Sequence, residues 1–170
     1  METNFDKVIE FNKTFGVDIS DNVQQEIFTM KPELVKLRYD LIKEEVDELK
    51  EAIDNDDMVE TIDALADILY VVYGAGASFG INLNKAFDMV HKSNMSKLCN
   101  TEEEAIETVM WYKHEYVEGN KPYDTPKWKL SDDNKYYIVF NESSGKILKS
   151  INYQPVNFSN FKSNENIDNI

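Results

Sequence analysis

Leu41-Ile-Lys-Glu-Glu-Val-Asp-Glu-Leu-Lys-Glu-Ala-Ile53, then the polar break Asp54-Asn-Asp-Asp57, then Met58-Val-Glu-Thr-Ile-Asp-Ala-Leu-Ala-Asp-Ile-Leu-Tyr-Val-Val-Tyr-Gly74, is the stretch that decides the fold. On both sides of the break the apolar residues recur at three- and four-residue steps, the period of a helix with one face turned to a core. The short polar connection predicts that the two helices pack antiparallel. On the first, the inward row Leu34, Leu37/Arg38, Leu41 runs on into Glu45, Glu48 and Ala52, which puts two carboxylates where core residues are expected. On the second, Glu60, Asp63, Asp67 and Tyr70 share one face beside the apolar row Ile62, Ala66, Leu69 and Tyr73. The antiparallel arrangement brings Glu45 and Glu48 toward Glu60 and Asp63. Converging carboxylates repel, and burying them unpaired is costly, so the cluster calls for a cation. Hard divalent ions take oxygen ligands, and Mg²⁺ combines a few carboxylates with waters and substrate phosphates. A Mg²⁺ site between helices is one reading; a solvated acidic face is the other, and it is the expected role of Glu44, Asp47, Glu51, Asp54, Asp56 and Asp57.

Outward from this pair, Phe5, Val8, Ile9, Phe11 and Phe15 predict a first helix closed by Gly16, and Pro32 opens the long second one. The third, from Met58, is so apolar in its middle that it is expected to be the most buried. A fourth is predicted from about Leu83 to Lys97, and a fifth after the cap and acidic first turn Thr101-Glu-Glu-Glu104. Beyond Gly119 the composition changes. Tyr136-Tyr-Ile-Val-Phe140, the turn Asn141-Glu-Ser-Ser-Gly145 and Ile147 to Ile151 predict a β-hairpin. The expected organisation is mainly α: a four- to five-helix bundle domain over 1–100, a helix and hairpin extension over 101–158, and a disordered Asn- and Ser-rich tail over 159–170.

The 170 residues include 32 acidic and 18 basic side chains, a net charge of −14. That charge repels a nucleic-acid polymer and requires metal cations or well-placed Lys and Arg for any small anion to bind. A single cysteine, Cys99, excludes an internal disulfide and suits a reducing, cytoplasmic setting. No secretory signal is recognisable, and the run Ile68 to Ile81 reads as too short and Gly-rich to cross a membrane.

Glu44-Glu45-Val46-Asp47-Glu48 followed by Glu60-Thr61-Ile62-Asp63 matches the EExxE and ExxD pattern of the all-α NTP pyrophosphohydrolase superfamily, and the order of motifs continues with Asp63-Ala-Leu-Ala-Asp67 and His91-Lys-Ser-Asn-Met-Ser-Lys97. The chain resembles the MazG-related, phosphoribosyl-ATP pyrophosphohydrolase-like branch over about Phe5 to Leu98. The resemblance implies Glu45, Glu48, Glu60 and Asp63 as metal ligands, Glu44 as a helper, Asp67 as a further ligand or supporting partner, and conversion of an NTP and water to NMP and pyrophosphate. Mg²⁺ is the implied metal, with Mn²⁺ as a substitute, and Glu45 is the expected proton acceptor. Phosphate oxygens need further donors; Arg38, Lys92, Asn94 and Lys97 are candidates, Asn94 and Lys97 most directly by the resemblance. Asn12 and Phe15 are candidates for base contacts, but Phe15 is expected to be core. A homo-oligomer, tetramer before dimer, is expected. The competing functions are phosphoribosyl-ATP hydrolysis and a non-enzymatic acidic protein-binding module.

His91 and His114 are too isolated to suggest zinc, and Cys99 has no evident base partner. Gly74, Gly76 and Gly80 are better explained by close helix packing than by a phosphate loop. The aromatic C-terminal part suggests a structural hairpin, a subunit contact or a lid.

Overall fold

The structure, a computed structural model, describes residues 2–162. The expected tail therefore lies largely outside the described residues. Those residues form six helices and one two-stranded antiparallel sheet. They divide into two compact units: residues 2–87 with 159–162, and residues 88–158.

In the first unit, α1 (Asn4–Thr14) is started by a reciprocal cap in which Thr3 N donates to Asp6 Oδ2 at 2.8 Å and Asp6 N donates to Thr3 Oγ1 at 3.2 Å. A single turn that the sequence periodicity does not reveal, α2 (Ile27–Met30), precedes α3 (Pro32–Asp54), with Pro32 in the first turn where its missing N–H costs nothing. Asp57 then caps α4 (Met58–Phe79), accepting from Val59 N at 3.0 Å and Glu60 N at 3.1 Å. α3 and α4 form the expected antiparallel hairpin, and α1 lies against α4, with Phe5 against Tyr73 and Phe11 edge-on to Tyr70. α5 (Leu83–Met95) follows, beginning in the first unit and ending in the second.

The expectation that the third helix is the most buried holds for only half of it. Gly74 to Ser78 are buried, but Met58, Val59, Ile62, Leu65 and Leu69 are exposed in the single chain. Periodicity identifies an apolar face without identifying what covers it. The helix also runs longer than the segment judged too short for a membrane: by length and composition alone Met58–Phe79 is apolar enough to cross one. One of its faces carries Glu60, Asp63 and Asp67.

In the second unit α6 (Glu102–Val117) packs on the sheet of β1 (Pro126–Leu130) and β2 (Tyr137–Asn141). Cys99, Ala105, Val109, Tyr112, Val139 and Leu148 form the core, with Tyr123, Trp128 and Tyr137 against it. A hairpin is present, but its ladder differs from the expected one. β2 pairs with Pro126–Leu130, in the register Pro126↔Asn141 to Leu130↔Tyr137, while after Gly145 only an isolated bridge, Phe140↔Ile147, forms. The chain then leaves the sheet, because Ser150 N donates to Lys97 O and Ile151 N to Thr108 Oγ1. Pro126 is tolerated as the first residue of an edge strand, where no ladder donor is needed.

Glu104 ties this unit together. It accepts from Asn100 N at 2.9 Å and from Ser150 Oγ, while its own N–H donates to Thr101 Oγ1. Burial raises its carboxyl, but the bonds from Ser150, Asn100 and Asn152 outweigh burial and hold it below the ordinary 4.5. A depressed carboxyl contributes stability above its unfolded pKa and loses it as pH falls through the folded one. The advantage of the wild type over Glu104→Gln, about 1–2 kcal/mol at neutral pH, should therefore shrink below about pH 4.5. Thermal melts of both proteins across that range check it; a constant difference would mean that the charge contributes nothing.

Candidate active site

The two faces of α3 treat their charges differently. Outward, Lys36–Asp40, Lys43–Asp47 and Lys50–Asp54 form three i,i+4 ion pairs at seven-residue intervals. Inward, Arg38, Glu45 and Ala52 repeat at the same interval, and Arg38 and Ala52 are buried. Among the described residues no Lys, Arg or His pairs with Glu44, Glu45, Glu48, Glu60, Asp63 or Asp67. The outward acids are neutralised locally, and the inward ones are not.

Glu45 is the centre of the unpaired group. It is half-buried, and its Oε2 is sealed from solvent with no hydrogen-bond partner. Burial raises its carboxyl first, and then, in decreasing order, Glu48, Asp67, Glu44 and Asp63 raise it further. The structure thus brings Glu45, Glu48, Asp63 and Asp67 into one field. Glu60 is not among the charges that act most strongly on Glu45. The reason is the level at which the helices pair: Arg38 Nε donates to Ser78 Oγ at 3.0 Å. Two turns along α3 from Arg38, Glu45 faces the part of α4 two to three turns back from Ser78, where Asp67 lies, and Glu60 falls about two turns beyond.

Among the described residues no three His, Cys, Asp or Glu side chains converge tightly enough to enclose a metal ion. The two observations have different ranges, since like charges are felt well beyond coordination distance. An orphaned buried carboxylate oxygen within an all-oxygen donor set fits a Mg²⁺ site in which waters and substrate complete the shell.

Three further sequence candidates lie in the same unit. Arg38 is 7% exposed, burial lowers the pKa of its guanidinium, and that group packs 3.2 Å from the position a Cβ would take at Gly74. Ser78 Oγ, which accepts from Arg38, donates to Asp18 O at 2.9 Å, so Arg38 links α3, α4 and the segment after α1. Asn12 is 3% exposed, and its Nδ2 has no acceptor. Phe15 is not core: it is 67% exposed.

In the second unit, Asn94 and Lys97 are joined, Lys97 Nζ donating to Asn94 Oδ1 at 2.7 Å. The serines of the same segment serve the fold: Ser93 Oγ donates to Gln154 O at 2.8 Å, and Gln154 N donates to Ser96 Oγ at 2.9 Å. Lys92 is exposed, as are His91 and His114. Cys99 is fully buried beside Thr108, and burial pushes its thiol up, away from a reactive thiolate.

An uncharacterized protein of Acanthamoeba polyphaga mimivirus is 33% identical over an alignment covering 92% of this chain and 94% of the relative. Residues 8–94, which hold Asn12, Arg38 and all six candidate carboxylates, match the description phosphoribosyl-ATP pyrophosphohydrolase. The chain belongs to the phosphoribosyl-ATP pyrophosphohydrolase family, within the MazG-like all-α NTP pyrophosphohydrolase superfamily.

Proposed function

We propose that the protein is a Mg²⁺-dependent nucleotide pyrophosphohydrolase that converts a (d)NTP and water to the monophosphate and pyrophosphate. The observation that carries this reading is the solvent-sealed, unpartnered Glu45 oxygen among Glu48, Asp63 and Asp67. A purely structural acidic face has no use for an orphaned carboxylate turned inward. Bound there, Mg²⁺ or Mn²⁺ would offset the polyphosphate charge and acidify a coordinated water. Glu45, Glu48, Asp63 and Asp67 would hold it, with Glu60 farther out on the same face and Glu44 supporting. Glu45, made more basic by burial and by its neighbours, takes the proton of the attacking water. The water oxygen bonds to phosphorus, the P–O bond of the α–β bridge breaks, and pyrophosphate leaves. Asn94, Lys97 and Lys92 are phosphate-donor candidates on the resemblance of their own segment alone. Arg38, already engaged by Ser78, acts as a positioning residue.

Pyrophosphate release from a panel of dNTPs, NTPs and phosphoribosyl-ATP, with Mg²⁺ and with chelator, tests the proposal. Metal-dependent release accompanied by the monophosphate is expected. Phosphoribosyl-ATP is the second reading, favoured by the description of the matching family. No turnover of any substrate would leave the acidic protein-binding module.

The proposal includes a homo-oligomer, tetramer before dimer, because Val59 and Ile62 are 73% and 63% exposed on a continuous apolar face of α4. Sedimentation should find the wild type assembled, and Ile62→Asp, which buries a charge in any interface built on that face, should dissociate it. An assembly indifferent to this substitution would place the interface elsewhere.

A further inference from the structure

Ser93-Asn94-Met95-Ser96-Lys97, at the end of α5, twice sets a serine before a larger polar residue, three positions apart. On a helix that interval returns to nearly the same face, so the serines share one face and Asn94 and Lys97 the next. The two faces have different surroundings. Ser93 is buried and Ser96 half-buried, whereas Asn94 is exposed. Lys97 is half-buried, with Nζ donating to Asn94 Oδ1 at 2.7 Å. With that oxygen engaged, the Asn94 side chain has only N–H donors left to offer, and the Lys97 ammonium retains donors beyond the one bond. What the pair can still bind is an acceptor, and its charge favours an anionic one.

The serine face is engaged by backbone much further along the chain. Ser93 Oγ donates to Gln154 O at 2.8 Å, and Ser96 Oγ accepts from Gln154 N at 2.9 Å while donating to Ser93 O at 2.7 Å. Pro155 keeps Gln154 out of a helical turn, so the amide and carbonyl of Gln154 need partners from elsewhere, and the two serines supply both. The backbone of the same segment is held as well. Ser150 N donates to Lys97 O at 3.1 Å, and Cys99 exchanges two backbone bonds with Tyr137, at 2.9 and 2.8 Å. Fixing residues 93 and 96 fixes the rotation of the chain at 94 and 97. That rotation matters here, because α5 ends at this point and the carbonyl end of a helix repels an anion unless cationic donors are aimed at it.

We infer that Ser93 and Ser96 are positioning residues, which clasp the backbone of Gln154 and so hold Asn94 and Lys97 ready for a phosphate group. The segment Ser150–Gln154, which follows the sheet, thereby takes part in substrate binding without touching the substrate. A lysine at a free helix end loses backbone and side-chain freedom when it binds, whereas one held in advance has lost much of it already, and the difference appears as affinity. The inference rests on the pyrophosphohydrolase reading above, with Asn94 and Lys97 as its phosphate donors.

A double-mutant cycle on the full chain tests it, with KM and kcat measured in Mg²⁺ for the dNTP that the wild type turns over fastest. Lys97→Met should raise KM at least about tenfold. Ser96→Ala, at a half-buried position, should raise KM about threefold and leave kcat within about twofold, the pattern of lost binding rather than lost chemistry. Ser96→Thr keeps the hydroxyl and should restore the wild-type KM. In the Lys97→Met background Ser96→Ala should raise KM no further, because the residue through which it acts is gone. Thermal melts of each variant show that folded protein is compared. An equal rise from Ser96→Ala in both backgrounds would make the serine a structural residue only and overturn the inference, as would an unchanged KM in Ser96→Ala. A KM unmoved by Lys97→Met, with wild-type turnover intact, would overturn it while leaving the pyrophosphohydrolase reading in place. A wild type that turns over no nucleotide would sink both.

Discussion

Glu45→Gln is expected to reduce pyrophosphate release by about 10²–10⁴-fold while raising the melting temperature of the metal-free protein. The two effects have opposite signs because, in the proposed mechanism, the carboxylate would serve the reaction at the expense of the fold. Its Oε2 is sealed and unpartnered, and Glu48, Asp67, Glu44 and Asp63 all press on it. Glutamine keeps the shape and removes the repulsion, which at a half-buried position is worth about 1 kcal/mol. The same substitution should abolish most of the stabilisation that Mg²⁺ gives the wild type, since a ligand stabilises only through its affinity for the folded state. Asp47→Asn is the control two residues away. Asp47 faces outward and pairs with Lys43, so its loss should move stability by less than about 0.5 kcal/mol and leave turnover intact. Calorimetry of the three proteins, in chelator and in Mg²⁺, reads both effects. A lower metal-free melting temperature for Glu45→Gln would show that the cluster is not under like-charge strain, and equal turnover of Glu45→Gln and Asp47→Asn would remove Glu45 from the site.

The contrast between Glu45 and Asp47 is legible in the sequence itself, because helix periodicity assigns each residue to a face. The face of Asn12 is legible for the same reason. What periodicity does not assign is level. Glu60, Asp63 and Asp67 share one side of α4, but which of them meets Glu45 depends on the offset of the two helices. That offset is fixed by long-range contacts, the Arg38–Ser78 hydrogen bond and the close approach of Arg38 to Gly74. Sequence spacing ranks Glu60 above Asp67, while the Arg38–Ser78 level and the charges felt by Glu45 favour Asp67. The hairpin differs from its expected form for a related reason. Tyr137 to Asn141 is a recognisable strand, but its partner Pro126-Lys-Trp-Lys-Leu130 begins with a residue that usually breaks sheets, and alternation with lysine is weak evidence for an edge strand. The exposure of α4 near Met58 to Leu69 has no signature in the sequence, since a face buried in one chain and a face covered by another copy have the same pattern.

Gly80→Ala is expected to be the most damaging single-methyl change in the first unit, costing about 3–5 kcal/mol and lowering its melting temperature by about 15 °C or more. Two terms contribute, and they can be separated. Gly80 ends α4 at φ 71°, a left-handed conformation that costs an alanine about 1–2 kcal/mol. The added Cβ would also stand 1.8 Å from Asn22 O and 2.4 Å from its carbonyl carbon. Those are backbone atoms, and the segment that holds them is tied down, with Ser20 N donating to Ala77 O and Gln24 N to Phe79 O, each at 3.0 Å. The clash can be relieved only by giving up those bonds, so the steric term outweighs the torsional one. Gly16 provides the comparison: its φ is 68°, and a Cβ there meets nothing within 4 Å. Gly16→Ala should thus lose the torsional term alone, about 1 kcal/mol, and the difference between the two variants measures how rigidly the segment around Asn22 is held against the end of α4. Equal losses at both positions would mean that this segment yields freely, and the α4 terminus would then not be the fixed end from which Ser78, Arg38 and the level of the carboxylates are set.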